Sequence, residues 1–107
     1  MLPKSYRLKK KEVERVYKKG KVVPAGLILG RFINNRAGHA RFAIVIPKKI
    51  SKKAADRNRL KRIIYENLSK NGSVWKDMQF DIVFSLKSQI SEEKIGEIIE
   101  KILGEVK

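Results

Sequence analysis

The chain has 107 residues, 42% of them hydrophobic, no cysteine and a formal charge of +15. That is length for a single domain with one modest core, and enough apolar content to fold it. A disulfide framework and a thiolate metal site are excluded, and no apolar run approaches the roughly 20 residues that cross a bilayer. The opening residues Met1 to Arg7 lack the apolar stretch of a secretion signal, so no membrane partner and a cytoplasmic location are expected.

The first helix is predicted over Lys9 to Lys19, where Val13, Val16 and Tyr17 fall at helical spacing and Gly20 is a natural stop. Val22 to Ile33 is rich in Val, Leu and Ile and reads as strand, with Pro24 and Gly26 marking a break or edge near its start. Asn34 to Gly38 reads as a turn, and Arg41 to Ile46 as the next strand, so these two strands are expected to form a hairpin. A second helix is predicted from Lys52 to Lys70. Ser51 is its candidate N-cap and Asp56 the rival; Leu60, Ile63, Ile64 and Leu68 make the buried stripe, and Asn71-Gly72 ends it. In Gln79 to Leu86, Phe80, Ile82, Phe84 and Leu86 alternate with Asp81, Val83 and Ser85, the pattern of a strand with one buried face. Ser91 caps the last helix, Glu92 and Glu93 suit its positive end, Ile95, Ile98, Ile99, Ile102 and Leu103 form its stripe, and Gly104 stops it. The whole is an α+β arrangement, a small sheet with helices in one domain spanning residues 1–107.

Charge is distributed unevenly along these elements. Lys4 to Lys21 holds nine bases against two acids, Lys48 to Arg62 eight against one, and Lys87 to Lys107 four against five. Two basic blocks and a nearly neutral end suggest one charged surface on a compact body, and a partner that is a polyanion. In the second helix, which holds Arg57-Asn58-Arg59-Leu60-Lys61-Arg62, Arg57 stacks one turn from Lys61 and Asn58 from Arg62, with the apolar stripe on the other side. Like charges one turn apart repel; a phosphate backbone relieves that repulsion, and guanidinium forks suit its oxygens. Lys48 and Lys49 lead into this helix and Lys52 and Lys53 fall in its first turn, where bases oppose the helix dipole unless a phosphate docks there. Of the aromatic residues, Tyr17 is an even match for core or for a base-stacking platform, and Phe32, Phe42, Phe80 and Phe84 favour the core. Trp75 reads as a packing anchor, and the one histidine, His39, as a surface residue beside a turn. No Walker loop, dinucleotide fingerprint or zincin motif is present, and no carboxylate pair is placed to hold magnesium, so the chain alone is a poor candidate for an enzyme.

From Lys48 to Glu66 the sequence resembles the signature of the bacterial ribonuclease P protein family: a Lys-Lys lead, a small-residue stretch, then Arg57-Asn58-Arg59, Lys61 and Arg62 on a helix. Arg7-Leu8 and Val16 to Gly20 are similar to the family's opening helix. The family often has an arginine where Tyr65 stands and an aromatic residue where Val13 stands. The resemblance implies an order α-β-β-β-α-β-α with a left-handed β-α-β crossover. It implies that Lys48, Lys49, Lys52, Lys53, Arg57, Asn58, Arg59, Lys61 and Arg62 face a catalytic RNA. A cleft around Arg7, Val13, Tyr17 and Phe32 would take the 5′ leader of precursor tRNA. The implied function is that of the protein subunit of ribonuclease P, monomeric when free, with no catalytic residue and no cofactor of its own; Mg2+ bound by the partner RNA would activate water for leader removal. The competing readings are a ribosomal or other structural-RNA-binding protein without a catalytic role, a dimeric DNA-binding module, and a nuclease in its own right, against which the empty catalytic inventory argues.

Overall fold

The computed structural model describes residues 3–106. After a single 3-10 turn at Lys4–Tyr6 come α1 (Lys10–Lys19), β1 (Lys21–Ala25), β2 (Ile28–Asn34), β3 (Arg41–Val45), α2 (Ala54–Lys70), a one-turn α3 (Gly72–Trp75), β4 (Phe80–Leu86) and α4 (Glu92–Val106). The four strands form one mixed sheet in the order β1-β2-β4-β3, with β4 antiparallel to β2 and parallel to β3. Parallel neighbours β3 and β4 are joined through α2 and α3, the crossover unit of an α+β fold.

The expected hairpin is in a different place. The segment read as one strand folds back on itself: β1 and β2 pair antiparallel from Lys21↔Phe32 to Ala25↔Ile28. The turn between them carries Gly26 at φ 68°, a left-handed conformation that glycine adopts without strain. Pro24 is tolerated because β1 is an edge strand. β2 and β3 are not neighbours, since β4 lies between them. The loop that leaves β2 is tied to the start of β4, where the Asn35 N–H donates to the Gln79 carbonyl at 2.9 Å.

β4 is covered on both faces. Its Phe84, Ile82 and Leu86 join the main core with α2 and α4, while Val83 packs on the opposite face beneath Val16 of α1 together with Ala43. The alternation read from the sequence is therefore an alternation between two cores, and Asp81 is 1% exposed. α4 lies close on the sheet because Gly30 has no side chain: a Cβ there would come within 2.8 Å of Ile102 Cγ2. α4 also runs through Gly104 to Val106, since Val106 is buried and its burial outweighs the weak helix propensity of one glycine.

The α2 start differs from both candidate caps. Its N-cap is Lys53, without a side-chain cap, and neither Ser51 nor Asp56 serves. Of the predicted stripe, Ile64 and Leu68 are buried and Leu60 and Ile63 half-buried, and Tyr65 joins the buried set. Trp75 anchors the end of α2 from below, its indole N–H donating to the Leu68 carbonyl at 2.7 Å. His39 is half-buried, edge-on to Tyr6 at 4.6 Å, which in turn packs on Trp75.

Candidate nucleic-acid interface

α2 starts where β3 ends, so the lysines of the connecting loop and the basic residues of the helix lie at one end of the sheet. Lys48, Lys49, Lys52 and Lys53 are all exposed. On α2, Asn58, Arg59 and Arg62 are exposed and Arg57 and Lys61 half-buried. The Arg57 guanidinium folds back on the loop and donates to the carbonyls of Ser51 (3.0 Å) and Lys52 (2.9 Å). It thus fixes the shape of the lysine-bearing loop in addition to adding charge. Arg59 is paired with Glu92 at the start of α4, across a shallow concavity lined by Ser51, Asp56, Leu60 and Gln89. Gln89 donates to the Ile50 carbonyl and ties the same loop from the other side. Arg62 and Lys61 form no ion pair among the described residues, so charge on this face remains available for a polyanion.

The second feature is a partly uncovered strip of the other sheet face. Strand register puts Pro24, Leu29, Ser85 and Val45 in one row, next to the row of Val22, Arg31, Val83 and Ala43. α1 covers Val83 and Ala43 with Val16 and leaves Val22 52% and Tyr17 41% exposed. Tyr17 is held as a platform: its hydroxyl is 2.8 Å from Ser85 Oγ, and the Arg31 guanidinium lies 4.5 Å from its ring centroid. An exposed, oriented aromatic ring with a cation over its face suits stacking with a base and contact with its phosphate. Val13 is one helical turn before Tyr17 on the same side of α1, half-buried against the small core.

Two of the predicted cleft residues are elsewhere. Phe32 pairs with Ile82 and packs edge-on to Phe80, 5.5 Å between centroids, on the face of the main core. With side chains alternating along β2, it points away from Tyr17; its neighbour Arg31 is the residue that faces the ring. Arg7 lies along the outer edge of β3, bridged to Phe42, and lines a hollow with Lys4, Leu8, Lys9 and Tyr65. Arg31 and Ser85 were not singled out from the sequence. Their signal is available only through register, which places both on the sheet face beside Tyr17.

A buried ionic network closes the opposite end of the sheet. Asp81 receives two hydrogen bonds from Arg41, Nε to Oδ1 and Nη2 to Oδ2, both 2.9 Å, and a third from Asn35 Nδ2 at 2.7 Å. Glu12 also pairs with Arg41, while its Oε1 accepts the Lys9 N–H at the start of α1. The hydrogen bond to Asp81 pushes the Arg41 pKa above its ordinary value, against the opposing effect of burial. Among the described residues no three His, Asp or Glu side chains come together as a metal site. No described helix is long and apolar enough to cross a membrane.

The geometry thus offers a basic helical face and a stacking cleft, and comparison with known proteins gives them a family. The ribonuclease P family profile matches residues 2–106. The chain is 33% identical over 103 residues to the ribonuclease P protein component of Nitrosomonas eutropha, covering 94% of this chain and 84% of that one. It is 36% identical over 107 residues to that of Macrococcus caseolyticus, covering 98% and 90%. The fold matches the solved ribonuclease P proteins of Staphylococcus aureus (TM-score 0.84, 29% identity, 95% of each chain) and Thermotoga maritima (TM-score 0.84, 25% identity, 94% of this chain and 97% of that one). The chain belongs to the ribonuclease P protein family, the RNA-binding protein subunits of a tRNA-processing ribonucleoprotein.

Proposed function

We propose that this chain binds the catalytic RNA of ribonuclease P through the α2 face and its lysine loop, and holds the 5′ leader of precursor tRNA in the cleft beside Tyr17. The first surface comprises Lys48, Lys49, Lys52, Lys53, Asn58, Arg59, Lys61 and Arg62, with Arg57 shaping the loop. The second comprises Val13, Tyr17, Arg31 and Ser85. Arg31 over an exposed Tyr17 is the observation that carries the reading: it pairs a stacking surface with a phosphate-binding fork beside an open sheet edge. The protein supplies binding energy and lowers phosphate repulsion, while Mg2+ and the hydrolytic chemistry belong to the RNA. The donor set agrees with this division, since Asp81 and Glu12, the two carboxylates that meet at Arg41, are both committed to it. The free protein is monomeric and inactive alone in this reading.

The test is reconstitution. At low Mg2+, adding the protein to the cognate RNA accelerates removal of the tRNA leader, and Tyr17→Ala reduces that gain mainly for substrates carrying a leader. No acceleration at any protein concentration would return the chain to a purely structural RNA-binding role.

A further inference from the structure

We infer that α1 has a second phosphate-binding groove on its other flank, and that it takes the continuation of the single strand held beside Tyr17. The inference rests on the cleft reading above. On α1, Val13 and Tyr17 share one side; Glu12, Arg15 and Lys19 share the other. That other side faces the end of the sheet closed by the Asp81 network. There a concavity of about 730 Å³ is lined by Arg15, Asn34, Asn35, Arg36, Ala37 and Arg41. A smaller one of about 200 Å³ is lined by Lys19, Lys21, Phe32, Ile33 and Asn34. Asn34 lines both, so the two form one groove.

The charge in this groove is free in part and fixed in part. Glu12 and Asp81 are both engaged by Arg41 and leave little negative charge for their neighbours. Arg15, Lys19, Lys21 and Arg36 are exposed, and among the described residues none of them has an acidic partner. The loop that carries Arg36 is braced: Asn35 donates to Asp81 and to the His39 carbonyl, and its Oδ1 accepts the Ala37 N–H at 3.1 Å. Arg36 is therefore presented on a rigid turn opposite Arg15, which keeps the ordering cost of binding low. Phe32 and Ile33 of β2 complete the lining of the smaller concavity.

Continuity selects the occupant. The groove lies about 13 Å along β4 from Ser85, at about 3.3 Å per residue from Asp81 to Ser85. Between the two sites the chain passes round the C-terminus of α1, where Lys18, Lys19 and Lys21 are all exposed. A strand leaving the cleft over Val22 meets positive charge without interruption until it reaches Arg15 and Arg36. A flexible single strand can follow this path round the end of α1 and stay in contact with charge throughout.

Binding of uridine oligomers of about five and about fifteen nucleotides to the full-length protein, titrated in salt, tests this. The wild type should hold the long oligomer at least about tenfold tighter than the short one. Arg15→Ala/Arg36→Ala should remove most of that gain and reduce the salt slope on the long oligomer by about 1.4, at about 0.7 for each phosphate contact, while leaving the short oligomer unchanged. Arg15→Lys/Arg36→Lys should retain most of the gain. The inference is overturned if the double alanine variant binds the long oligomer like wild type, or weakens both oligomers equally. It is equally overturned if wild type shows no length dependence. Tyr17→Ala should weaken the short oligomer; if it does not, the cleft reading itself fails, and the continuation with it.

Discussion

Asp81 shows how much a single residue can commit. It is 1% exposed on a central strand, and its carboxylate accepts from Arg41 and Asn35 at once. Removing one partner of such a pair leaves the other charge stranded, which costs about 3–5 kcal/mol. Asp81→Ala should therefore lower stability by about 3 kcal/mol or more in urea unfolding, and loosen both the Arg36 turn and the start of α1 through Arg41 and Glu12. A loss below about 1 kcal/mol would mean that water replaces the network. Tyr65 makes a different commitment. Burial pushes its phenol pKa above the ordinary value, with the nearby Arg7 charge opposing. A raised folded pKa gives stability that is present below the unfolded value of about 10 and is lost as pH rises through the folded value. Wild type should thus lose stability more steeply than Tyr65→Phe above about pH 10 and behave like it near neutrality, as read from urea midpoints at each pH. Both residues were visible in the sequence only as an acid in a strand and a tyrosine on a helix. What makes them consequential is the layer packed over them.

At the level of elements, α2 presents the Arg57-Asn58-Arg59 motif, and the structure adds a competitor to it. Arg59 is paired with Glu92, so RNA phosphate must displace or share that contact. Exposed pairs are worth at most about 1 kcal/mol, so Glu92→Gln should tighten binding to the catalytic RNA about two- to fivefold, most at low salt, whereas Arg62→Ala should weaken it and remove about one counterion from the salt slope. Equal affinity of Glu92→Gln and wild type at all salt concentrations would place Arg59 outside the contact. The helices were legible because their apolar stripes are intrinsic to the local sequence: Val13, Val16 and Tyr17 in α1, and Ile95, Ile99 and Ile102 in α4. Strand partners were not, because alternation marks a strand without naming its neighbour. Hence the sequence pairs the Val22 to Ile33 strand with β3 although β4 separates β2 from β3, and it places Phe32 in the Tyr17 cleft although strand parity puts it on the other face. Charge and spacing in the sequence mark the basic residues of α2 and its loop as a candidate polyanion surface, and the structure leaves most of them exposed. Arg31, Ser85 and Arg36 acquire a role only from register and from a turn braced at long range.

Over the whole molecule the charge is polarised, and that polarity orients encounter with RNA. α1, the lysine loop and α2 carry the basic residues, while the solvent side of α4, on the sheet face opposite α1, carries exposed Glu93, Glu97, Glu100 and Glu105 among Lys94 and Lys101. A uniformly basic protein of +15 would bind RNA in many orientations, most of them unproductive; a neutral to acidic back face disfavours those. Glu97→Lys/Glu100→Lys tests this directly, because both residues are exposed and away from the proposed contacts. The variant gains four charge units, so its affinity for an unrelated folded RNA should rise several-fold at low salt and its salt slope should steepen. Its rate of leader removal with the cognate RNA at saturating protein should stay at the wild-type level, since the added charge lies off the productive interface, while an unrelated competitor RNA should inhibit it more strongly. If instead the cognate rate changes without competitor, α4 touches RNA in the working complex and the acidic face is part of the interface.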